Sequence, residues 1–283
     1  MVKDVYKQKM ITPTDFNAMI LKLREYFSRN GFIETYPQHR TSIMAACEDP
    51  RTVSSYVFDG VKYPLPQTNQ MWLEYDLLHN DLDGVYCVTT SYRDEPNPIE
   101  DRHDKIFPMF EFEHKGNYSD LISTVVNMLI FLGFEDNVGF TYDELCSIYK
   151  TNTLTAEHEL KMWEEYGDVV IITDFPHRTD PFWNMKMAGY KSGGEEIYNK
   201  ADFIVCGMET VGSAQRSSNQ AEMRENFKTI SNGQYAQLLY DQFTKERVLG
   251  ELEEYLSLGM FPRYGGGMGL TRLLRALKIK NLM

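Results

Sequence analysis

The sequence predicts an α+β fold, with a mostly antiparallel sheet flanked by helices. Segments with strand and helix periodicity are intermixed along the 283 residues, without the regular alternation of βαβ units. Hydrophobic residues make up 42% of the chain and aromatic residues 13%, which is typical of a folded globular protein. No internal repeat, low-complexity segment or Pro/Ser-rich linker divides the chain, so we expect residues 1–283 to form a single domain.

Apolar periodicity, capping residues and turn residues predict the individual elements. Phe16, Ile20 and Phe27 share one face of an amphipathic helix that Thr14 or Asp15 caps. The predicted elements that follow are a strand over 32–37, a hairpin over 56–65, a helix over 67–82 capped by Thr68, strands over 85–93 and 107–116, helices over 119–134, 142–149 and 156–166, strands over 169–176, 181–187 and 201–209, two helical segments over 219–256, and a helix after the glycines at 265–269.

The two strands over 85–93 and 107–116 carry the residues that first suggest a function. Successive side chains of a strand alternate between faces, so Phe107, Glu111 and Glu113 share one face, and Arg93 ends the other strand. A loop between the two strands would place an arginine, an aromatic ring and two carboxylates on one polar surface. Such a surface suits a triphosphate, an aromatic base and an ammonium group.

Charge and composition exclude several classes of partner. The net charge is −12, with 41 acidic residues against 29 basic ones, and a field of that sign opposes non-specific nucleic-acid binding. No apolar run is long enough to cross a membrane, and the N-terminus lacks the apolar centre of a secretory signal, so no membrane partner is expected. The cysteines at 47, 87, 146 and 206 form no CxxC pair, which favours reduced thiols in a cytoplasmic protein.

Three separated segments resemble the motifs of class II aminoacyl-tRNA synthetases. The residues similar to motif 2 are Arg93, Glu95, Arg102, His103, Phe107, Glu111 and Glu113. The segment GGGMGLTR, with Gly267, Gly269 and Arg272, resembles motif 3. The first helix with Pro37 resembles motif 1, which in that family forms the dimer interface, so the resemblance implies a homodimer. It extends from about residue 13 to the end of the chain.

The resemblance implies ATP as a substrate and assigns roles in an adenylate-forming reaction. Arg93 and Arg272 are the implied catalytic residues, gripping the α-phosphate and the γ-phosphate end of ATP. Phe107 would stack on adenine, with Arg272 on the other side of the base. Further ATP contacts are implied for Glu95, Arg102, His103, Gly267 and Gly269.

A further segment, ADFIVCGMETVGSAQR, resembles the aspartyl- and asparaginyl-tRNA synthetase subgroup. The resemblance implies that Asp202 and Glu209 bind the Mg²⁺ that accompanies ATP and that Arg216 recognises the amino-acid side chain. Gln70, Glu111 and Gly212 are the other implied substrate-binding residues. A spacing of seven along one unbroken strand would put Asp202 and Glu209 on opposite faces, so we expect a bulge, with Gly207 as its position.

The same subgroup is indicated by ITDFPHRTDPFW, but two positions depart from its pattern. Leu73 replaces a lysine expected three residues after Gln70 in the aspartyl enzymes, and Ile106 replaces an acidic residue before the adenine-stacking ring. An aspartate β-carboxylate would therefore lose one of its two cations. Asparagine, or a modified aspartate, stays open as the amino acid.

The chain is expected to be a bare catalytic domain, because the motif 1 helix begins too early to follow an N-terminal OB-fold anticodon-binding domain. The loop between Arg93 and Phe107 is mostly acidic, which disfavours tRNA as the acceptor. Bare domains of this subgroup resemble the ammonia-dependent asparagine synthetases, which adenylate aspartate's β-carboxylate. That reaction is the leading hypothesis. The alternatives are aminoacyl transfer to a tRNA, a protein or a metabolite amine, and a non-catalytic paralogue that binds amino acid or nucleotide.

Overall fold

The computed structural model describes residues 11–44, 50–98, 102 and 104–283. The helices of this part of the chain are α1 (Pro13–Arg29), α2 (Gln70–Asn80), α3 (Tyr118–Leu132), α4 (Tyr142–Tyr149), α5 (Ala156–Tyr166), α6 (Gln220–Thr229), α7 (Gln234–Phe243), α8 (Lys245–Leu256) and α9 (Leu270–Ile279). The strands are β1 (Phe32–Glu34), β2 (Ser55–Phe58), β3 (Val61–Pro64), β4 (Gly84–Tyr92), β5 (Ile106–Lys115), β6 (Val138–Thr141), β7 (Val169–Thr173), β8 (Phe175–Pro176), β9 (Met187–Tyr190), β10 (Glu196–Tyr198), β11 (Lys200–Val205), β12 (Met208–Arg216) and β13 (Arg263–Gly269).

The largest sheet has eight strands among the described residues, in the order β1-β4-β5-β13-β12-β11-β7-β6. The outermost pairs, β1 with β4 and β6 with β7, are parallel, and the pairs between them are antiparallel. A three-stranded sheet, β8-β10-β9, and the β2-β3 hairpin stand apart from it. The α+β architecture with a mostly antiparallel sheet is therefore confirmed.

One face of the large sheet packs against α1, α3 and α9. Phe110 and Phe112 of β5 point to this side, with ring centroids 4.7 Å and 5.2 Å from that of Phe27 in α1. Phe107, Glu111 and Glu113 alternate with them and face the opposite side, as the strand parity predicted. On that side α2 packs on the sheet and contributes to a second apolar cluster with α6, α7 and α8.

The predicted helix caps were wrong at two helices. Thr12, rather than Thr14 or Asp15, caps α1, because its hydroxyl accepts from the Asp15 N–H at 3.1 Å and Pro13 suits the first helical turn. At α2 the N-cap position is Asn69, whose side chain makes no capping hydrogen bond. The Thr68 hydroxyl accepts from the Gln70 N–H at 3.2 Å and donates to Glu111.

Several predicted boundaries also differ from the structure. The strand predicted over 181–187 is irregular, and β9 begins only at Met187. The strands β6 and β10 and most of β12 were not predicted, and β13 forms where a glycine turn was expected before the last helix. The helical region over 219–256 forms three helices rather than two, because it is interrupted at 230–233 and again at Thr244, which has a φ of 72°. The single strand predicted over 201–209 is a hairpin, with its turn at Cys206 and Gly207, both at positive φ.

Candidate active site

A row of directly opposed residues crosses the middle of the sheet on the face away from α1. Glu111 of β5 pairs with Gly267 of β13, Gly267 with Gly212 of β12, and Gly212 with Asp202 of β11. The two central glycines carry no side chains, so the row forms a trough with a carboxylate residue at each end. A cavity of about 270 Å³ opens over it.

Ten of the residues predicted to form the site line this cavity. They are Gln70, Arg93, Glu95, Arg102, Phe107, Glu209, Gly212, Gly267, Gly269 and Arg272. Glu111, Asp202 and Arg216 are buried next to it rather than on its wall. His103 lies outside the described residues.

An aromatic slot forms at the end of the cavity near β5. The Arg93 guanidinium lies 5.4 Å from the centroid of the Phe107 ring. A Cβ placed on Gly269 would lie 3.8 Å from Phe107 Cε2 and 3.9 Å from Arg272 Cδ, so the ring and the arginine stem flank the same space. A flat base could occupy that slot between them.

Three arginines concentrate positive charge beside the slot. The buried Nε of Arg93 has no hydrogen-bond acceptor among the described residues. Arg102 Nη2 donates to Glu159 Oε2 at 2.6 Å, and Arg272 Nη1 donates to the Glu209 carbonyl oxygen at 2.7 Å. Burial lowers the pKa of Arg272, and the charges of Arg93 and Arg102 add to that effect. Anionic oxygens would relieve the mutual repulsion of these groups.

Two carboxylates converge at Gly212 on the other side of the cavity. Glu209 Oε1 and Asp202 Oδ1 lie 3.2 Å and 3.6 Å from the point that a Cβ on Gly212 would occupy. Asp202 Oδ1 is buried without a hydrogen-bond partner in the described part of the chain, while Oδ2 pairs with Lys200 Nζ at 2.8 Å. Burial raises the pKa of Asp202 to about 7; Lys200 opposes this shift and Glu209 adds to it.

The two carboxylates fit a Mg²⁺ ion, which prefers oxygen ligands and retains water or phosphate oxygens. No third His, Cys, Asp or Glu joins them as a metal ligand within the described ranges. The remaining ligands would therefore come from phosphate oxygens and water.

The bulge expected at Gly207 lies instead just after it. Gly207 belongs to the hairpin turn, and the register shifts where Glu209 opposes Ile204 and Val211 opposes Phe203, which leaves Thr210 as the extra residue. The turn and the bulge together bring Glu209 to the same face as Asp202, which a single strand could not do.

A buried ion pair lies in the part of the site where the resemblance predicts amino-acid binding. Arg216, on β12, donates through Nε to Glu113 Oε1 at 3.1 Å and through Nη2 to Gln70 Oε1 at 3.0 Å. Arg216 Nη1 and Glu113 Oε2 are left without partners among the described residues. Burial raises the pKa of Glu113 to about 7, against the opposing charge of Arg216.

A second layer of charge behind this pair was missed by the sequence reasoning. Glu74 Oε2 accepts from Arg263 Nε at 2.8 Å, and Glu74 Oε1 accepts from Asn184 Nδ2 at 2.8 Å and lies 3.6 Å from Arg216 Nε. The Tyr255 hydroxyl also donates to Glu74. The available signal was the position of Glu74 one helical turn after Gln70, on the same face of α2.

Gly265 provides the space that Glu113 occupies. It pairs directly with Glu113 across β13 and β5, and a Cβ there would lie 2.0 Å from Glu113 Oε1. No rotamer of a larger side chain can remove that Cβ, so glycine at this position is required for the buried carboxylate.

Glu111 holds the start of α2. Both of its carboxylate oxygens lie 3.0 Å from the Asn69 backbone N–H, and one accepts from Thr89 Oγ1 at 3.2 Å and from Asn69 Nδ2 at 3.1 Å. The Thr68 hydroxyl donates to the other. These contacts occupy the carboxylate from within the protein, so Glu111 contributes to the site by positioning Thr68 and Gln70.

Comparison with known proteins agrees with this geometry. The family model of class II tRNA synthetases (D, K and N) matches residues 2–281. The chain is 25% identical to the aspartate–tRNA(Asp) ligase of Pyrobaculum aerophilum over an alignment of 303 residues, which covers 95% of this chain and 64% of that protein. The chain thus spans less than two thirds of the length of this curated relative.

Solved structures show the same fold. Asparaginyl-tRNA synthetase from Pyrococcus horikoshii, complexed with asparaginyl-adenylate, superposes with a TM-score of 0.73 and 18% identity over 93% of this chain and 64% of that one. The asparaginyl-tRNA synthetase of Entamoeba histolytica, also in complex with asparaginyl-adenylate, superposes with a TM-score of 0.69 and 19% identity. The match covers 93% of this chain and 63% of that one. No helix in the described part of the chain is long and apolar enough to cross a membrane. The match over nearly the whole chain and the shared sheet architecture show that this protein belongs to the class II tRNA synthetase family of the D, K and N type.

Proposed function

We propose that this protein activates a carboxylate with ATP, producing an acyl adenylate and pyrophosphate. One observation carries the proposal: three guanidinium groups and an aromatic ring line the same cavity as Glu209, with Asp202 buried beside it. A triphosphate with its adenine needs cations, a flat stacking surface and oxygen ligands for Mg²⁺ in one place. The family match supports this chemistry.

In the proposed reaction a carboxylate oxygen attacks the α-phosphorus of ATP, and pyrophosphate leaves. Both reactants are anionic, so the site must offset charge and hold them in line. Arg93, with its unpartnered Nε, would bind the α-phosphate, and Arg102 and Arg272 would bind the oxygens beyond it, with His103 as a further predicted contact. Adenine would lie on Phe107.

Asp202 and Glu209 would hold Mg²⁺, which supplies charge neutralisation along the triphosphate when bound. Glu95 lines the same cavity and would contact the nucleotide. The backbone at Gly267 and Gly269 allows the nucleotide to approach the strand closely.

The amino-acid end supports a substrate group that presents both a donor and an acceptor. Glu74 and Glu113 balance Arg216 and Arg263, so the buried cluster is neutral when all four are ionised. A lone carboxylate placed there would bury an uncompensated negative charge, which is costly. Arg216 Nη1 can donate and Glu113 Oε2 can accept, because neither atom has a partner among the described residues.

Two substrates match that requirement. The α-carboxylate and α-ammonium groups of aspartate could bind Arg216 and Glu113, which would direct the β-carboxylate toward ATP. The carboxamide of asparagine could bind the same two atoms, which would direct the α-carboxylate toward ATP. The first arrangement supports our leading proposal, in which ammonia displaces AMP from β-aspartyl adenylate to give asparagine, AMP and a proton.

The second arrangement corresponds to aminoacyl transfer, which the tRNA-ligase relatives favour. The acceptor could then be a tRNA, a protein or a metabolite amine. In the sequence, the loop between Arg93 and Phe107 has five acidic residues against the basic residues Arg102 and Lys105, and this acidic balance is the reason to place tRNA second.

Amino-acid-dependent exchange of pyrophosphate with ATP tests the proposal. Aspartate should support exchange and asparagine should not, because asparagine has no free β-carboxylate. Hydroxylamine should trap the β-hydroxamate of aspartate, and ammonium should yield asparagine. Exchange with asparagine alone, or an α-hydroxamate, would support aminoacyl transfer. ATP binding without AMP production under any of these conditions would indicate a non-catalytic regulator. Arg93→Ala is the matched inactive control.

The family resemblance also leads us to propose a homodimer formed through α1 and β1. Leu21 in α1 and Ile33 in β1 are 56% and 52% exposed, and Tyr36 just beyond β1 is 86% exposed. A second copy could cover this apolar surface. Sedimentation of the protein and of Leu21→Glu tests it: a monomeric wild-type protein would contradict the proposal.

A further inference from the structure

Glu159, on α5, connects two groups of the candidate ATP site although it belongs to none of the predicted motifs. Its Oε2 accepts from Arg102 Nη2 at 2.6 Å and from the Glu209 backbone N–H at 2.8 Å. The side chains of Arg102 and Glu159 are each 13% exposed, so solvent competes weakly with this contact. One carboxylate oxygen therefore joins a predicted phosphate-binding arginine to a predicted metal-binding residue.

Both backbone polar groups of Glu209 are held by side chains. Glu159 accepts from the Glu209 N–H, and Arg272 donates to the Glu209 carbonyl oxygen at 2.7 Å. Glu209 lies at the bulge in β12, where the regular ladder with β11 is interrupted. Side chains thus stabilise the backbone conformation that directs the Glu209 carboxylate toward Asp202 and Gly212.

The Glu159 carboxylate lies between two parts of the proposed triphosphate site, the Arg102 guanidinium and the Glu209 backbone. Glu159 provides a counterion for Arg102, whose guanidinium lies 2.6 Å from the carboxylate. Loss of the Glu159 side chain would free Arg102 and remove the acceptor of the Glu209 N–H at the same time.

We propose that Glu159 is a positioning residue that fixes the Arg102 guanidinium relative to the Glu209 carboxylate. Binding of the ATP phosphates and binding of Mg²⁺ would then strengthen each other. The inference rests on the proposed ATP site and adds a residue that acts through others. Residues that orient metal ligands commonly change metal affinity by about 10- to 100-fold when they are replaced.

The test compares Glu159→Ala and Glu159→Gln with Glu157→Gln, an exposed control two residues earlier on α5. Calorimetric titration of the whole protein with a non-hydrolysable ATP analogue, with and without Mg²⁺, provides a readout that needs no turnover. We expect Glu159→Ala to weaken binding about 10-fold in Mg²⁺ and much less without it. Glu159→Gln should have a smaller effect, because its amide oxygen can still accept from the Glu209 N–H.

Exchange kinetics separate this proposal from the proposed function. The half-saturating concentrations of Mg²⁺ and ATP should rise in Glu159→Ala, while that of the amino acid stays within about twofold. Equal Mg²⁺-dependent binding by Glu159→Gln, Glu159→Ala and wild type would overturn the positioning role. Wild-type binding of the analogue without exchange for any amino acid would contradict the adenylation proposal and leave the binding comparison valid. If Glu159→Ala fails to fold, the same binding comparison on Glu159→Gln decides the proposal.

Discussion

Replacing Asp202 by asparagine should make the protein more stable and less able to bind Mg²⁺. Asp202 is 7% exposed, and its Oδ1 has no hydrogen-bond partner in the described part of the chain. The asparagine amide could donate to Glu209 Oε1, which lies beside the same point at Gly212. The substitution thus removes a buried charge and gains a hydrogen bond. Functional sites commonly retain such locally unfavourable groups.

The pKa shift of Asp202 sets the size and the sign of the expected change in the free energy of unfolding. The Asp202 carboxyl has a pKa of about 7 in the folded protein and of 3.8 in the unfolded chain. Between these values the unfolded chain has lost the proton that the folded protein retains, so the wild-type stability falls as pH rises and reaches its minimum above pH 7. At about 1.4 kcal/mol per pKa unit, the full penalty is on the order of 4 kcal/mol.

Asparagine should recover only part of this penalty, because its amide is also desolvated and the ion pair with Lys200 is lost. We expect Asp202→Asn to raise the free energy of unfolding by about 2 kcal/mol at pH 8. The difference in free energy of unfolding between Asp202→Asn and wild type should be smaller by about 1 kcal/mol at pH 6, because wild-type Asp202 is then protonated. Lower pH is unsuitable because the sequence pI is about 5.0.

Urea unfolding at pH 6, 7 and 8 in the absence of divalent metal measures this difference. Asp136→Asn, at an exposed position, is the matched control and should change little. Adding Mg²⁺ and a non-hydrolysable ATP analogue should stabilise the wild type and not Asp202→Asn. A variant less stable than wild type at pH 8, or a difference that does not change with pH, would refute the reasoning.

Two further substitutions test the packing around the site. Gly265→Ala should lower the free energy of unfolding by about 3 kcal/mol, because its Cβ would lie 2.0 Å from Glu113 Oε1; Gly250→Ala, on α8 with no atom within 4 Å of its Cβ, should raise it by about 0.5–1 kcal/mol. Glu74→Ala should cost about 3–5 kcal/mol, because Arg263 would be left buried without its carboxylate.

Urea unfolding checks both predictions. An unchanged midpoint for Gly265→Ala would mean that Glu113 can leave its position at no cost. For the ion pair, the control is Glu253→Ala, which removes the partner of Arg224 at a site where the side chains of Arg224 and Glu253 are 36% and 52% exposed. That change should cost at most about 1 kcal/mol. Equal losses in Glu253→Ala and Glu74→Ala would contradict the role of burial.

Local sequence patterns predicted β4 and β5 and the face on which the site residues of β5 lie, but they predicted neither β13 nor most of β12. Strand parity requires no knowledge of distant residues, which is why Phe107, Glu111 and Glu113 were assigned correctly to one face. The prediction failed at 201–209, where side-chain pattern alone did not distinguish a continuous strand from a hairpin. The turn depends on two residues at positive φ, one of them the non-glycine Cys206, which sequence preference does not favour.

Local sequence pattern also could not predict which charged side chains pair with each other. Arg216 and Glu113 are 103 positions apart, and Glu74 and Arg263 are 189 apart, so their pairing depends on which strands and helices become neighbours. The contact of Glu159 with Arg102 and Glu209 has the same origin, since α5 must first pack beside the sheet.

By itself, the sequence determined the fold class, the motif residues and the polar face, because strand alternation and motif spacing act over a few residues. Only the tertiary structure decided which charges are already neutralised: Arg216 by Glu113, Arg102 by Glu159, and Glu111 by the start of α2. The physical reason is that burial makes an unpaired charge costly, and the partner that offsets it is selected by packing in three dimensions rather than by proximity along the chain.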